Sequence, residues 1–121
     1  MPQSGFVGRR SKMIESGVME AILDSFKDPV LFVDTDHIVC YMNKAAIAHF
    51  EDGEALLGRS VMDCHNERSC GIIRDTLIAL KAGTDERLIS TSDGKHIYMR
   101  AVRSADGEVI GYYERYEPVA G

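Results

Sequence analysis

Asp28-Pro29-Val30-Leu31-Phe32-Val33-Asp34-Thr35-Asp36-His37-Ile38-Val39-Cys40-Tyr41-Met42-Asn43-Lys44-Ala45-Ala46 holds two short β-type runs around an acidic turn and closes on an asparagine. Pro29 pushes the residue before it out of the α region, so a helix arriving from the N-terminal side stops here. Val30 to Val33 then reads as an apolar strand, Asp34 to His37 as a tight turn and Ile38 to Met42 as the returning strand. Cys40, inside that strand, reads as a small core residue. Asn43 is placed to cap the next backbone N–H groups, which makes Lys44 to Phe50 a short helix. A hairpin that runs straight into a helix calls for a sheet with helices packed on one face.

Outward from this stretch the punctuation is regular. Gly53 to Leu57 makes another helical turn, closed by Gly58 as a left-handed stop. Ser69 is placed to cap a longer helix from Cys70 or Gly71 to Ala82, with Ile73, Leu77 and Leu80 on its buried side and Gly83 as terminator. Arg87 to Thr91 pairs with Lys95 to Arg103 across Ser92-Asp93-Gly94, an Asp-Gly hairpin signal. Asp106-Gly107 turns the chain again into Val109 to Tyr116. In the middle strand Ile97, Met99 and Ala101 alternate with the outward His96, Tyr98 and Arg100.

On the N-terminal side Ser11 to Phe26 has a helical period, with Ile14, Val18, Ala21 and Ile22 in one stripe. Met19, Leu23 and Phe26 widen that stripe, while Gly17 weakens the helix. An apolar arc this broad is expected either to cover the back of the sheet, over Tyr98 and Tyr112, and to meet a second copy, or to continue a helical signal path. A homodimer through Ile14, Val18 and Ile22 follows. The expected organisation is a mobile tail over residues 1–10, the amphipathic helix over 11–27, a core domain over 28–117 and a short tail over 118–121. The fold class is α+β, a five-stranded antiparallel sheet with short helices on one face.

The 121 residues suffice for one domain, and 45% hydrophobic with 27% charged residues is ordinary for a globular protein. A net charge of -5 leaves no basic stripe to neutralise phosphates, which excludes nucleic acid as a partner. No apolar run approaches the roughly 20 residues of a membrane span. Three cysteines do not build a disulfide framework, and a reducing, cytoplasmic setting is expected. Phosphate loop, nucleophile elbow and paired-carboxylate motifs are missing from the sequence, so no enzyme is expected.

The span from Ser11 to Tyr116 resembles the PAS family. The first hairpin with its Asn43 cap, Gly58-Arg59, and the DGK and DGEVIGYYE segments at Asp93 and Asp106 follow the family's order and spacing. Leu57 through Ser69 resembles a subgroup with a Cys-His pair in this loop, Cys64-His65 here. That subgroup usually has proline after the histidine, where this chain has Asn66. The resemblance implies a sensory, dimerising module with a pocket between the helices and the inner sheet face. Val33, Ile47, Phe50, Leu57, Ile73, Leu77, Ile97 and Met99 map to that pocket, with Cys64-His65 at its mouth. In the family the pocket holds haem, flavin, a chromophore, a small metabolite or only side chains, and the same positions suit a plain packed core.

Cys64 is the chemical candidate. A helix N-terminus near Ser69, with Arg59 and Arg68, favours its thiolate, which serves as nucleophile, attachment point or haem ligand. Haem has Cys64, His65 and His49 as candidate ligands, although family haem sensors commonly place theirs on the long helix, where this chain has no histidine. The light-sensing flavin subclass is excluded, because its reactive cysteine falls at Val61. The acid of the chromophore-thioester photoreceptors is replaced by Ala45, Ala46 and Ile47. Cys64 and Cys70 form a redox pair only with Cα atoms within about 7 Å. Adjacent residues such as Cys64 and His65 seldom share a metal ion. The expectation is a sensory module that binds a small ligand or senses redox state near Cys64-His65 and signals through dimerisation. The alternatives are a ligand-free dimerisation module and a thiol enzyme centred on Cys64.

Overall fold

The structure is a computed structural model that describes residues 16–120. The expected tail over 1–10, the start of the helix at Ser11 and the interface residue Ile14 lie outside the described residues. Along the chain come α1 (Ser16–Asp24), β1 (Leu31–Asp34), β2 (Val39–Met42), α2 (Lys44–His49), α3 (Glu67–Lys81), β3 (Glu86–Ser92), β4 (Lys95–Arg103) and β5 (Val109–Pro118). Two 3-10 turns, Gly53–Leu56 and Val61–Cys64, lie between α2 and α3. The strands form one sheet in the order β2-β1-β5-β4-β3, and each neighbouring pair is antiparallel.

The first hairpin is closed by its own acid. Asp34 Oδ1 accepts from the backbone N–H groups of Asp36 (2.9 Å) and Ile38 (3.0 Å), and His37 takes the left-handed conformation at φ 67°. The Ile38 N–H foremost holds the Asp34 carboxyl below its ordinary range. Cys40 lies on the solvent side of β2, exposed, and its thiol donates toward Asp34 Oδ2 at 3.5 Å. The expectation of a core cysteine fails because Val39 and Met42 take the inward positions.

Asn43, fully buried, does more than cap α2. Its Oδ1 accepts from Ala46 N (2.8 Å) and Val30 N (2.9 Å), and its Nδ2 donates to the carbonyls of Leu23 (2.8 Å) and Asp28 (3.2 Å). One side chain thus ties the end of α1, the linker after it and the start of α2. Asp24 adds a second tie by accepting from Lys44 N at 2.9 Å. α1 ends at Asp24, before Pro29 could stop it, and Val18, Met19 and Ile22 stay about half exposed.

α3 begins at Glu67, three or four residues earlier than the expected Cys70 or Gly71. Asn66 Oδ1 accepts from Ser69 N at 2.8 Å, so Asn66 is the cap, and Glu67 lies in the first turn where the helix dipole favours a negative charge. Ile73, Leu77 and Leu80 are buried, and with Val33, Val39, Met42 and Met99 they form the core between the helices and the sheet. Each such side chain contributes roughly 1.5–3 kcal/mol on burial. The segment leading to the second 3-10 turn is fastened to the first hairpin by Val39 N to Arg59 O (2.9 Å) and Val61 N to His37 O (2.9 Å), which fixes where His65 emerges. Among the described residues no helix is long and apolar enough to cross a membrane.

Candidate functional site

Register decides which side chains meet the helices. β4 and β5 pair Ile97 with Tyr116, Met99 with Glu114 and Ala101 with Tyr112. Directly opposed residues share a face, so Tyr112, Glu114 and Tyr116 join the inner one. Tyr112 is 4% exposed and its Oη lies 2.8 Å from His37 Nδ1. This corrects the expectation that it faces outward. Burial first, and then the charge of Glu114, raise the hydroxyls of both Tyr112 and Tyr116 above the ordinary tyrosine value. Tyr98 does face outward, but Arg115 covers it, with the guanidinium 4.4 Å from the ring centroid.

Three spaces converge at Glu114. An enclosed cavity of about 50 Å³ is bounded by Val33, Phe50, Val61, His65 and Met99 among others. An open cleft of about 550 Å³ lies beside α2, between Pro29, His49, Phe50, Ile97 and Tyr116. A second open cleft, of about 470 Å³, lies beside α3 with Arg68, Ile72, Ile73 and Ile89 in its walls. Glu114 lines all three and Ile97 both open ones, so the inner face carries a trough with a carboxylate at its centre. Tyr116 Oη donates to Glu114 Oε1 at 2.9 Å.

The structure distributes the sequence-derived site residues unevenly. Val33, Phe50, Ile73 and Met99 line the enclosed cavity, and Ile97 the clefts. Leu77 belongs to the packed core and Ile47 packs against it. Leu57 is 42% exposed, because it follows the 3-10 turn in which Leu56 takes the inward position. The Cys-His doublet is split. His65 borders the cavity and donates from Nδ1 to the Val61 carbonyl at 2.7 Å, which leaves Nε2 as the free ring nitrogen. Cys64 is exposed and lines none of the three spaces. Cys70 is buried, with its thiol directed at the carbonyls of Met62 (3.4 Å) and His65 (3.6 Å). Val18 and Ile22 present their side chains to solvent.

Small-molecule pockets run to roughly 300–1,000 Å³. His65 borders both the cavity of about 50 Å³ and the open cleft of about 470 Å³ beside α3. His49 stands in the wall of the other open cleft, edge-on to Phe50 at 4.9 Å between centroids. Among the described residues no group of three or more His, Cys, Asp or Glu side chains is arranged to hold a metal ion. Sequence reasoning passed over Glu114 and Tyr116. Their period-2 relation to Tyr112 was visible, but nothing local says which face that set occupies.

Solved structures with this architecture are numerous. The C-terminal domain of a Streptococcus mutans protein superimposes with a TM-score of 0.68 at 24% identity, covering 87% of this chain and 85% of that one. The PAS domain of a Colwellia psychrerythraea protein gives 0.64 at 12% identity over 85% and 95%. A sensory box sensor histidine kinase structure from Vibrio cholerae gives 0.60 at 12% identity over 95% and 100%. At these identities the likeness is one of fold. No curated protein matches the chain. A family model described as PAS domain matches residues 19–117. The chain therefore belongs to the PAS domain family, whose members are typically modules of sensory and signalling proteins.

Proposed function

We propose that this domain is a non-catalytic ligand sensor that takes a small organic molecule into the trough on its inner sheet face and reports occupancy through α1. The supporting observation is the position of the linker between α1 and β1. Lys27, Asp28 and Pro29 form one wall of the 550 Å³ cleft, while Asn43 grips the carbonyls of Leu23 and Asp28. A molecule in the cleft touches the segment that fastens α1. It biases α1 only by its differential affinity for the two arrangements.

The output surface in this reading is α1, where Val18, Met19 and Ile22 are 47–53% exposed. A second copy packing on this stripe makes the signalling homodimer, through Val18 and Ile22. His65 is the polar lip of the trough, and the exposed Cys64 lies outside it.

Amide hydrogen exchange with and without saturating benzyl alcohol, a neutral probe, tests the reading. Shifted trough amides with altered exchange over residues 23–30 support it. A bound probe that leaves those amides unchanged overturns the route to α1. The small enclosed cavity favours one second reading, a ligand-free dimerisation module, which failure of the probe to bind an intact dimer would select.

A further inference from the structure

The geometry points to an organic ammonium ion with an apolar or aromatic body as the ligand class of the trough, held at its nitrogen by Glu114; the inference rests on the ligand-sensing reading above. Glu114 sits opposite Met99 on a face otherwise built from apolar and aromatic side chains. A carboxylate accepts about four hydrogen bonds, and among the described residues the Tyr116 hydroxyl is its one side-chain donor. No lysine or arginine among the described residues pairs with it. Two of the nearby cations are engaged elsewhere, Lys95 by Asp28 at 2.9 Å and Arg115 by Glu86 at 2.9 Å on the outer face, while Lys27 and Arg68 line the clefts without pairing with Glu114. A half-buried negative charge in apolar surroundings is stabilised by a cation that brings its own N–H donors.

The aromatic side chains of the same cleft support this class independently. Phe50 and Tyr116 line it together with His49, whose ring is edge-on to both, at 4.9 and 6.4 Å between centroids. Aromatic faces attract ammonium groups. In this cleft Lys27 and Lys95 are outnumbered by Asp28, Asp93 and Glu114, whereas the cleft beside α3 carries Arg68. The ammonium therefore lies on the α2 side, and Ile97 offers apolar surface to the body of the ligand.

Three probes of one shape and different charge test this: benzylammonium, benzyl alcohol and benzoate, each titrated into the 15N-labelled domain. Benzylammonium is expected to bind at least about tenfold tighter than benzyl alcohol, with benzoate weakest. Glu114→Gln keeps an acceptor for the Tyr116 hydroxyl and is expected to erase the preference. Tyr116→Phe keeps the carboxylate and is expected to retain it. Equal affinity of benzylammonium and benzyl alcohol in the unaltered protein overturns the inference while the trough remains a binding site. A preference that survives Glu114→Gln overturns it as well. If none of the three probes shifts trough amides, the ligand-sensing reading itself fails.

Discussion

Replacing Asn43 by alanine removes four hydrogen bonds that converge on a side chain with no exposed surface. Loss of the α2 cap costs about 1 kcal/mol. The Val30 N–H is stranded as well, at about 1–2 kcal/mol where water cannot reach it, while the Leu23 carbonyl keeps the Phe26 N–H at 3.2 Å. Asn43→Ala is therefore expected to destabilise the domain by about 2–3 kcal/mol, a sizeable share of the roughly 5–15 kcal/mol typical of a domain. Asn43→Asp separates the two roles of the side chain. It keeps both accepting bonds, to Ala46 N and Val30 N, but loses the donors to Leu23 and Asp28 and sets a carboxylate against two carbonyl oxygens. Its amide exchange should stay slow at Ala46 and accelerate at the end of α1. Urea denaturation gives the stability loss and exchange gives its location. A loss below about 1 kcal/mol for Asn43→Ala, with unchanged exchange at Val30 and Ala46, would refute the reasoning.

Gly111→Ala places a Cβ against the Val33 carbonyl oxygen and 2.5 Å from Phe32 Cζ, backbone and a held ring. A cost of about 1–3 kcal/mol or more in urea denaturation is expected. His37 is held below the ordinary histidine value of about 6.5, chiefly by loss of solvation and then by the charge of Arg74. The unfolded chain thus takes up this proton first, so stability is full above about pH 6.5 and falls as the pH drops through the folded value. His37→Asn, which tolerates the left-handed backbone at φ 67°, should lose that part of the acid slope in denaturation midpoints. Val18→Glu puts a charge on the exposed stripe of α1 and should weaken a homodimer built on it, read as a lower sedimentation-average mass at equal concentration. An unchanged mass would move the interface elsewhere.

What the sequence disclosed and what it hid differ by physical range. The β4 limits, Lys95 and Arg103, were readable because Asp93-Gly94 and Asp106-Gly107 demand turns on either side. The Asn43 cap was readable because it acts three residues away, on Ala46. Its hold on Leu23, twenty residues upstream, was not. The phase of β5 was equally hidden. Ile110, Tyr112 and Tyr116 share one parity with Glu114, while Tyr113 and Arg115 share the other, and both sets mix apolar with charged groups. Pairing with Val33 and Ala101 decides the matter. The Ser69 cap failed for a subtler reason. The apolar stripe starts at Cys70, but the helix carries a polar first turn ahead of it. Cys64-His65 looked like one unit, and backbone direction parted it. His65 bonds back to Val61, while Cys64 turns to solvent.

Occupancy of the trough can be read atom by atom from intermolecular nuclear Overhauser effects between benzylammonium and the methyl-labelled domain. Cross-peaks from the ring protons to the methyl groups of Ile97, Ala45 and Ala48 are predicted, since these side chains line the cleft beside α2 that Glu114 borders. Cross-peaks confined to Val18, Ile22 or other residues outside the trough, with none to those three, would contradict a ligand site on the inner face of the sheet.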